Sequence, residues 1–146
     1  METIIYIALF SLLMSGAVIG AYNLLEGSDR NIVATSIQEE GTFLNRKINW
    51  ALSGATGVTV SGGGQSITIT RPDLGLESPL VISGEGSNAT ISRGTAGPVL
   101  LNRERYPVSS LKFVYAASIN GRPASVAVSF LIKDKLFNFR KYMRQK

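Results

Sequence analysis

The sequence predicts an α+β protein: a long N-terminal helix, membrane-spanning in its first half and amphipathic in its second, packed on an antiparallel β-sheet head. Two observations carry this. Residues Thr3–Leu25 form an uninterrupted apolar run in which no charge follows Glu2. From Gly54 onward the apolar spacing changes from helical to alternating, and ten of the fifteen glycines fall between Gly54 and Gly97. The resulting segments are 1–25, the transmembrane half of the helix; 26–53, its amphipathic half; 54–132, the β head; and 133–146, a basic C-terminal tail.

A hydrocarbon core of roughly 30 Å needs about 20 helical residues to cross it, so Thr3–Leu25 is long enough to span. A cleaved signal peptide begins with positive charge and has an apolar stretch of roughly 7–15 residues. Here the start is acidic and the stretch is longer. Cleavage after Ser15-Gly16-Ala17 would leave Val18–Leu25 as a second apolar segment, so the anchor reading is preferred.

Behind the polar break Glu26-Gly27-Ser28-Asp29, the residues Ile32, Val33, Ile37, Phe43, Leu44, Ile48, Ala51 and Leu52 fall near helical spacing. Arg30, Gln38, Glu39, Asn45, Arg46 and Lys47 mostly occupy the intervening face. The pattern predicts an amphipathic helix ending near Ser53-Gly54. A continuous helix from Thr3 to Ser53 is about 75 Å long at 1.5 Å per residue. Gly27 and Gly41 are expected to soften it, each by about 1 kcal/mol relative to alanine.

The head reads as short strands punctuated by turns. Val58–Ser61 and Ser66–Thr70 flank Gly62-Gly63-Gly64, and Leu80–Ser83 and Ala89–Ser92 flank Gly84–Ser87. Val99–Leu101 is a further apolar run. Leu111–Tyr115 and Ser125–Ile132 bracket Asn120-Gly121-Arg122-Pro123, where Asn-Gly marks a turn. The order implies hairpins in meander sequence within one sheet.

Composition narrows the chemistry. The chain of 146 residues has room for one modest globular domain beside the anchor. It contains no cysteine and no histidine, which removes disulfides, thiolate metal sites and the commonest general base. Head serines therefore have no histidine to activate them. Asp73, Glu77 and Glu85 do not follow the alternating spacing of a calcium loop and read as solvated. The triple glycine lacks the frame of a phosphate-binding loop and reads as a hairpin turn. Asn88-Ala89-Thr90 matches a glycosylation sequon by a three-residue pattern common by chance. No cofactor and no enzymatic activity are expected.

The net charge of +5 sits at the C-terminus. Lys133, Lys135, Arg140, Lys141, Arg144 and Lys146 face only Asp134 in the last fourteen residues, while the other 132 hold nine basic and nine acidic side chains. Interleaved with Phe137, Phe139 and Tyr142, these cations suit anionic lipid headgroups or, less strongly, a nucleic-acid strand. The preferred reading of the segment itself is a final edge strand or short helix kept soluble by its charges.

A helix of this kind leading into an antiparallel sheet resembles the type IV pilin and pseudopilin superfamily. Mature members open F-T-L-I-E before an apolar helix, and Glu2-Thr3-Ile4-Ile5-Tyr6-Ile7-Ala8-Leu9-Phe10 matches that onset from the glutamate on. The head is most similar to that of a minor pseudopilin. That likeness rests on Trp50-Ala51-Leu52-Ser53, Val58-Thr59-Val60, Ile67-Thr68-Ile69, and Leu111-Lys112-Phe113 ahead of Ser125-Val126-Ala127-Val128. The sequence departs from the pattern where the basic leader, its glycine and F-T-L-I should precede Glu2, and Met1 stands where the isoleucine belongs. Either the start is placed too late, or the chain is truncated, or this member is not processed; the first is favoured because the match resumes cleanly at Glu2. With a leader upstream, the resemblance implies prepilin peptidase as a partner, and N-methylation with it.

It also implies a single-pass membrane protein with its head outside the cytoplasm, assembling into a filament for secretion, DNA uptake or adhesion. Its partners would be other pilin subunits and the inner-membrane assembly platform. Glu2 would pair with the N-terminal amine of a neighbouring subunit. Gly16 and Gly20 form a G-x-x-x-G spacing that lets helices approach closely in a filament core. The alternative reading is a stand-alone, membrane-tethered β-rich domain that binds a ligand and does not polymerise.

Overall fold

The computed structural model describes residues 2–119 and 121–143. Asn120 of the expected Asn-Gly turn, and Arg144 and Lys146 of the basic tail, lie outside the described residues. The fold is α+β as expected: among the described residues, helix α1 (Glu2–Leu52) is followed by eight antiparallel strands. The chain divides after Ser36 into two compact units, and each is considered by itself.

In the second unit, α1 buries Glu40, Gly41, Leu44, Ile48, Ala51 and Leu52. Those positions recur every three or four residues and so lie on one face. Ile37 is partly buried against the same core, whereas Phe43 and Trp50, on the flanks of the stripe, are exposed. The helix stops because Gly54 takes a left-handed backbone, φ +95°, which costs glycine no Cβ clash. The last turn has no basic residue of its own. Arg71 supplies the missing cation: its Nη1 donates to the Trp50 carbonyl at 2.8 Å, and its guanidinium lies 4.9 Å from the Trp50 ring centre. A cation there adds a donor to the Trp50 carbonyl, which also accepts from the Ser53 amide at 3.2 Å, and opposes the negative end of the helix dipole.

The first sheet is a meander, β1 (Gly57–Ser61), β2 (Ser66–Thr70), β3 (Leu80–Glu85), β4 (Asn88–Arg93) and β5 (Val99–Leu100). Alternation aims Ile67, Ile69, Leu80, Ile82, Ala89 and Ile91 into the core. The triple glycine makes the β1–β2 turn, as its composition predicts. The second sheet holds β6 (Val108–Ala116), β7 (Ser125–Ile132) and β8 (Lys135–Tyr142) in that order. It contributes Leu111, Phe113, Val126, Val128, Phe130, Ile132 and Phe137, and the Phe130 and Phe137 rings stack at 5.3 Å.

The head thus has two sheets where the strand spacing alone suggested one. The link between β5 and β6 is fixed by groups that no periodicity reveals. Asn102 is buried, accepting from the Ala89 amide at 2.7 Å and donating to the Tyr106 carbonyl at 3.2 Å. Glu40, buried on α1, accepts from the Arg103 amide at 2.8 Å. So pinned, β6 leaves the meander and packs across the first sheet. Gly84 and Gly64 permit the crossing: a Cβ on either would lie 2.9 Å from Leu111 or from the Phe113 carbonyl oxygen.

Candidate functional site

The first unit presents an apolar helical surface. Every large hydrophobic side chain from Ile4 to Leu25 is exposed, and this stretch is long and apolar enough to cross a membrane. Its two serine hydroxyls are satisfied within the helix. Ser11 Oγ donates to the Ile7 carbonyl and Ser15 Oγ to the Ser11 carbonyl, both at 2.8 Å. Hydroxyls bonded to the preceding turn leave no orphan donor in hydrocarbon. Glu2 stands in the first turn, where the helix dipole favours negative charge. Gly16 and Gly20 share one face, and a Cβ on either would meet nothing within 4 Å. The first exposed ion pair, Arg30 to Glu26 at 2.6 Å, comes only after the apolar run ends.

The basic C-terminal segment is a strand as far as Tyr142, the last edge strand that was one of its two readings from sequence. Lys133 and Asp134 form the two-residue turn between β7 and β8. Lys133, at φ +52°, lies 5.7 Å from the Tyr106 ring, and Lys135 lies 5.8 Å from the Phe137 ring. Arg140 is exposed and Lys141 half-buried. Among the described residues none of these four cations has an ion-pair partner, whereas Arg30, Arg71, Arg93 and Arg103 each have a carboxylate within 4.0 Å.

Beyond the end of α1 lies a cleft of about 830 Å³, whose walls include Gly54, Asp73, Tyr115, Lys141, Tyr142 and Met143. Its volume is within the range of ligand pockets. Asp73 is bound to Arg71 through two hydrogen bonds, one from Nε at 3.1 Å and one from Nη2. The Arg71 hydrogen bonds hold the Asp73 carboxyl below its usual 3.8, and Asp73 in turn raises the Arg71 pKa. Lys141 is therefore the cation of this cleft whose charge is not matched by a carboxylate.

The Asp73 shift fixes the sign of a pH dependence. A carboxylate with a depressed folded-state pKa contributes stability above its unfolded value, and that contribution is lost as pH falls below 3.8 through the lower folded value. Acid titration of the fold should show this loss in the parent protein. Asp73→Asn, followed by Trp50 fluorescence, should remove that part of the slope.

Of the other carboxylates weighed as metal ligands, Glu77 faces Arg93 at 3.5 Å and Glu85 is exposed at the end of β3. Sequence reasoning passed over Glu40, Arg71 and Asn102. Glu40 did leave a signal: it lies four residues before Leu44 and eight before Ile48, a charge placed on the apolar stripe. Comparison of the chain with protein-family models, with curated proteins and with solved structures finds no match.

Proposed function

We propose that this chain is a structural subunit of a type IV-like filament or of a related secretion or DNA-uptake machine, similar to a minor pilin or pseudopilin. Its work is assembly rather than catalysis. The observation that carries the reading is the first unit: an apolar helix from Ile4 to Leu25, exposed on all sides, with its one carboxylate at Glu2. Hydrocarbon can cover such a surface, and so can the helices of other subunits. The two environments differ in what they ask of Glu2. A carboxylate at membrane depth costs about 2.5–3.5 kcal/mol, whereas a filament core can supply a cation to it. Gly16 and Gly20 offer a flat strip for close helix contact. The antiparallel head, closed over the end of α1, is the part that faces water outside the cytoplasm.

Glu2→Gln separates insertion from assembly. The variant should remain with membranes after carbonate washing, because the apolar run is intact. Its cross-linking to partner pilins in those membranes should fall by roughly tenfold or more, the equivalent of losing one paired charge at membrane depth. Wild-type cross-linking by the variant would reject the pairing role and favour a tethered domain that does not polymerise. Extraction of the parent protein by carbonate would reject the anchor itself.

A further inference from the structure

We propose that the free edge of β8 accepts an extended, acidic segment of a partner protein as an added antiparallel strand. The second sheet has two edges. That of β6 is partly covered: its Val108 amide donates to the Ser87 carbonyl at 2.8 Å, and a Cβ on Gly64 would lie 2.9 Å from the Phe113 carbonyl oxygen. β8 pairs with β7 along one side over all eight of its residues, and among the described residues no backbone hydrogen bond reaches its other side. The Met143 amide donates to the Ala124 carbonyl at 2.7 Å, which makes Met143 and Ala124 a hydrogen-bonded pair. Because such pairs alternate in an antiparallel ladder, the N–H and C=O groups of Leu136, Asn138, Arg140 and Tyr142 point away from β7. An open edge of this length is a template for strand addition.

Charge decides which strand. Lys133, Lys135, Arg140 and Lys141 line this hairpin without a carboxylate partner among the described residues, against the single Asp134. Two β8 edges from two copies would bring these cations together, and like charges across a ladder are destabilising. An acidic strand is attracted where a second β8 is repelled, so one set of side chains selects the partner and blocks self-pairing. Leu136 and Tyr142 are both 58 % exposed and give the incoming strand apolar contacts at either end of the edge. At the Tyr142 end the edge opens into the cleft, where Lys141 stands ready for an acidic residue of the added strand. A membrane surface or a nucleic acid would use the cations but has no alternating N–H and C=O ladder to match the four outward residues, so the edge geometry favours a peptide.

The experiment uses the full chain in non-ionic detergent and a set of capped decapeptides alternating Glu with Val, Ile or Thr. Their binding should exceed that of the same peptides with Lys for Glu by roughly tenfold, as expected for complementary against like charge. Binding should slow hydrogen exchange at the amides of Leu136, Asn138, Arg140 and Tyr142. Joint Lys135→Glu and Arg140→Glu substitution should invert the peptide preference, and Asn138→Pro, which removes one outward N–H and no charge, should weaken acidic-peptide binding. If Asn138→Pro fails to fold, the charge-inverted protein carries the same decision. Failure of every acidic peptide to slow those four amides overturns the proposal. So does peptide binding without such protection, or stronger binding of single-stranded oligonucleotides or anionic vesicles that leaves exchange unchanged, since each marks an anion-attracting surface only.

Discussion

Gly41→Ala is expected to destabilise the head by about 1–3 kcal/mol, the range for forcing extra atoms into a packed site. Helix propensity alone predicts the reverse, a gain of about 1 kcal/mol when glycine in a helix interior becomes alanine. The two effects compete at one position, and the geometry decides between them. A Cβ built on Gly41 would collide with the edge of the Phe137 ring, nearer than any real contact allows. Phe137 is not free to swing aside without loss, because its ring is buried and stacked on Phe130. Unfolding by urea in non-ionic detergent, followed through Trp50, the only tryptophan, gives the sign directly. Phe137→Ala in the same background should remove the clash and turn Gly41→Ala from destabilising to neutral or stabilising. That non-additivity is the signature of direct contact.

The same glycine shows where sequence reading stops. Periodicity exposes what a segment does by itself, so the helix, the hairpins and the buried half of the stripe at Leu44, Ile48 and Leu52 were all legible. Gly41 looked like a weak point in the helix because its reason for being there, the Phe137 ring, lies on β8 and far away in the chain. The division into two sheets was hidden for the same cause. It depends on Asn102 reaching back to Ala89 and on Glu40 reaching forward to Arg103, neither of which leaves a repeating pattern. For the basic segment, residue type was readable and position was not. Lys135, Arg140 and Lys141 announced positive charge, but only the ladder to β7 shows that they line an open strand edge. Ile32, placed on the stripe by spacing, is exposed, because helical spacing assigns a face without saying how far along the helix that face is covered.

Leu44→Ala should cost about 2–5 kcal/mol, the range for deleting a fully enclosed leucine side chain. Leu44 is 1 % exposed and shares its face of α1 with Ile48 and Leu52, all three in the same core cluster. Its loss combines two terms: apolar surface no longer removed from water, and a cavity that a helix clamped at Gly41 and capped by Arg71 cannot easily close. The neighbouring Phe43 supplies the comparison. It is the larger side chain, yet it is 44 % exposed and lies beneath Lys47 rather than in the core. Phe43→Ala should therefore cost less than Leu44→Ala, despite removing more carbon. Measured in the same detergent by the Trp50 signal, that order establishes which face of α1 the head covers. A Leu44→Ala effect within about 0.5 kcal/mol of the parent, the range typical of surface positions, would mean that the helix does not seal the core.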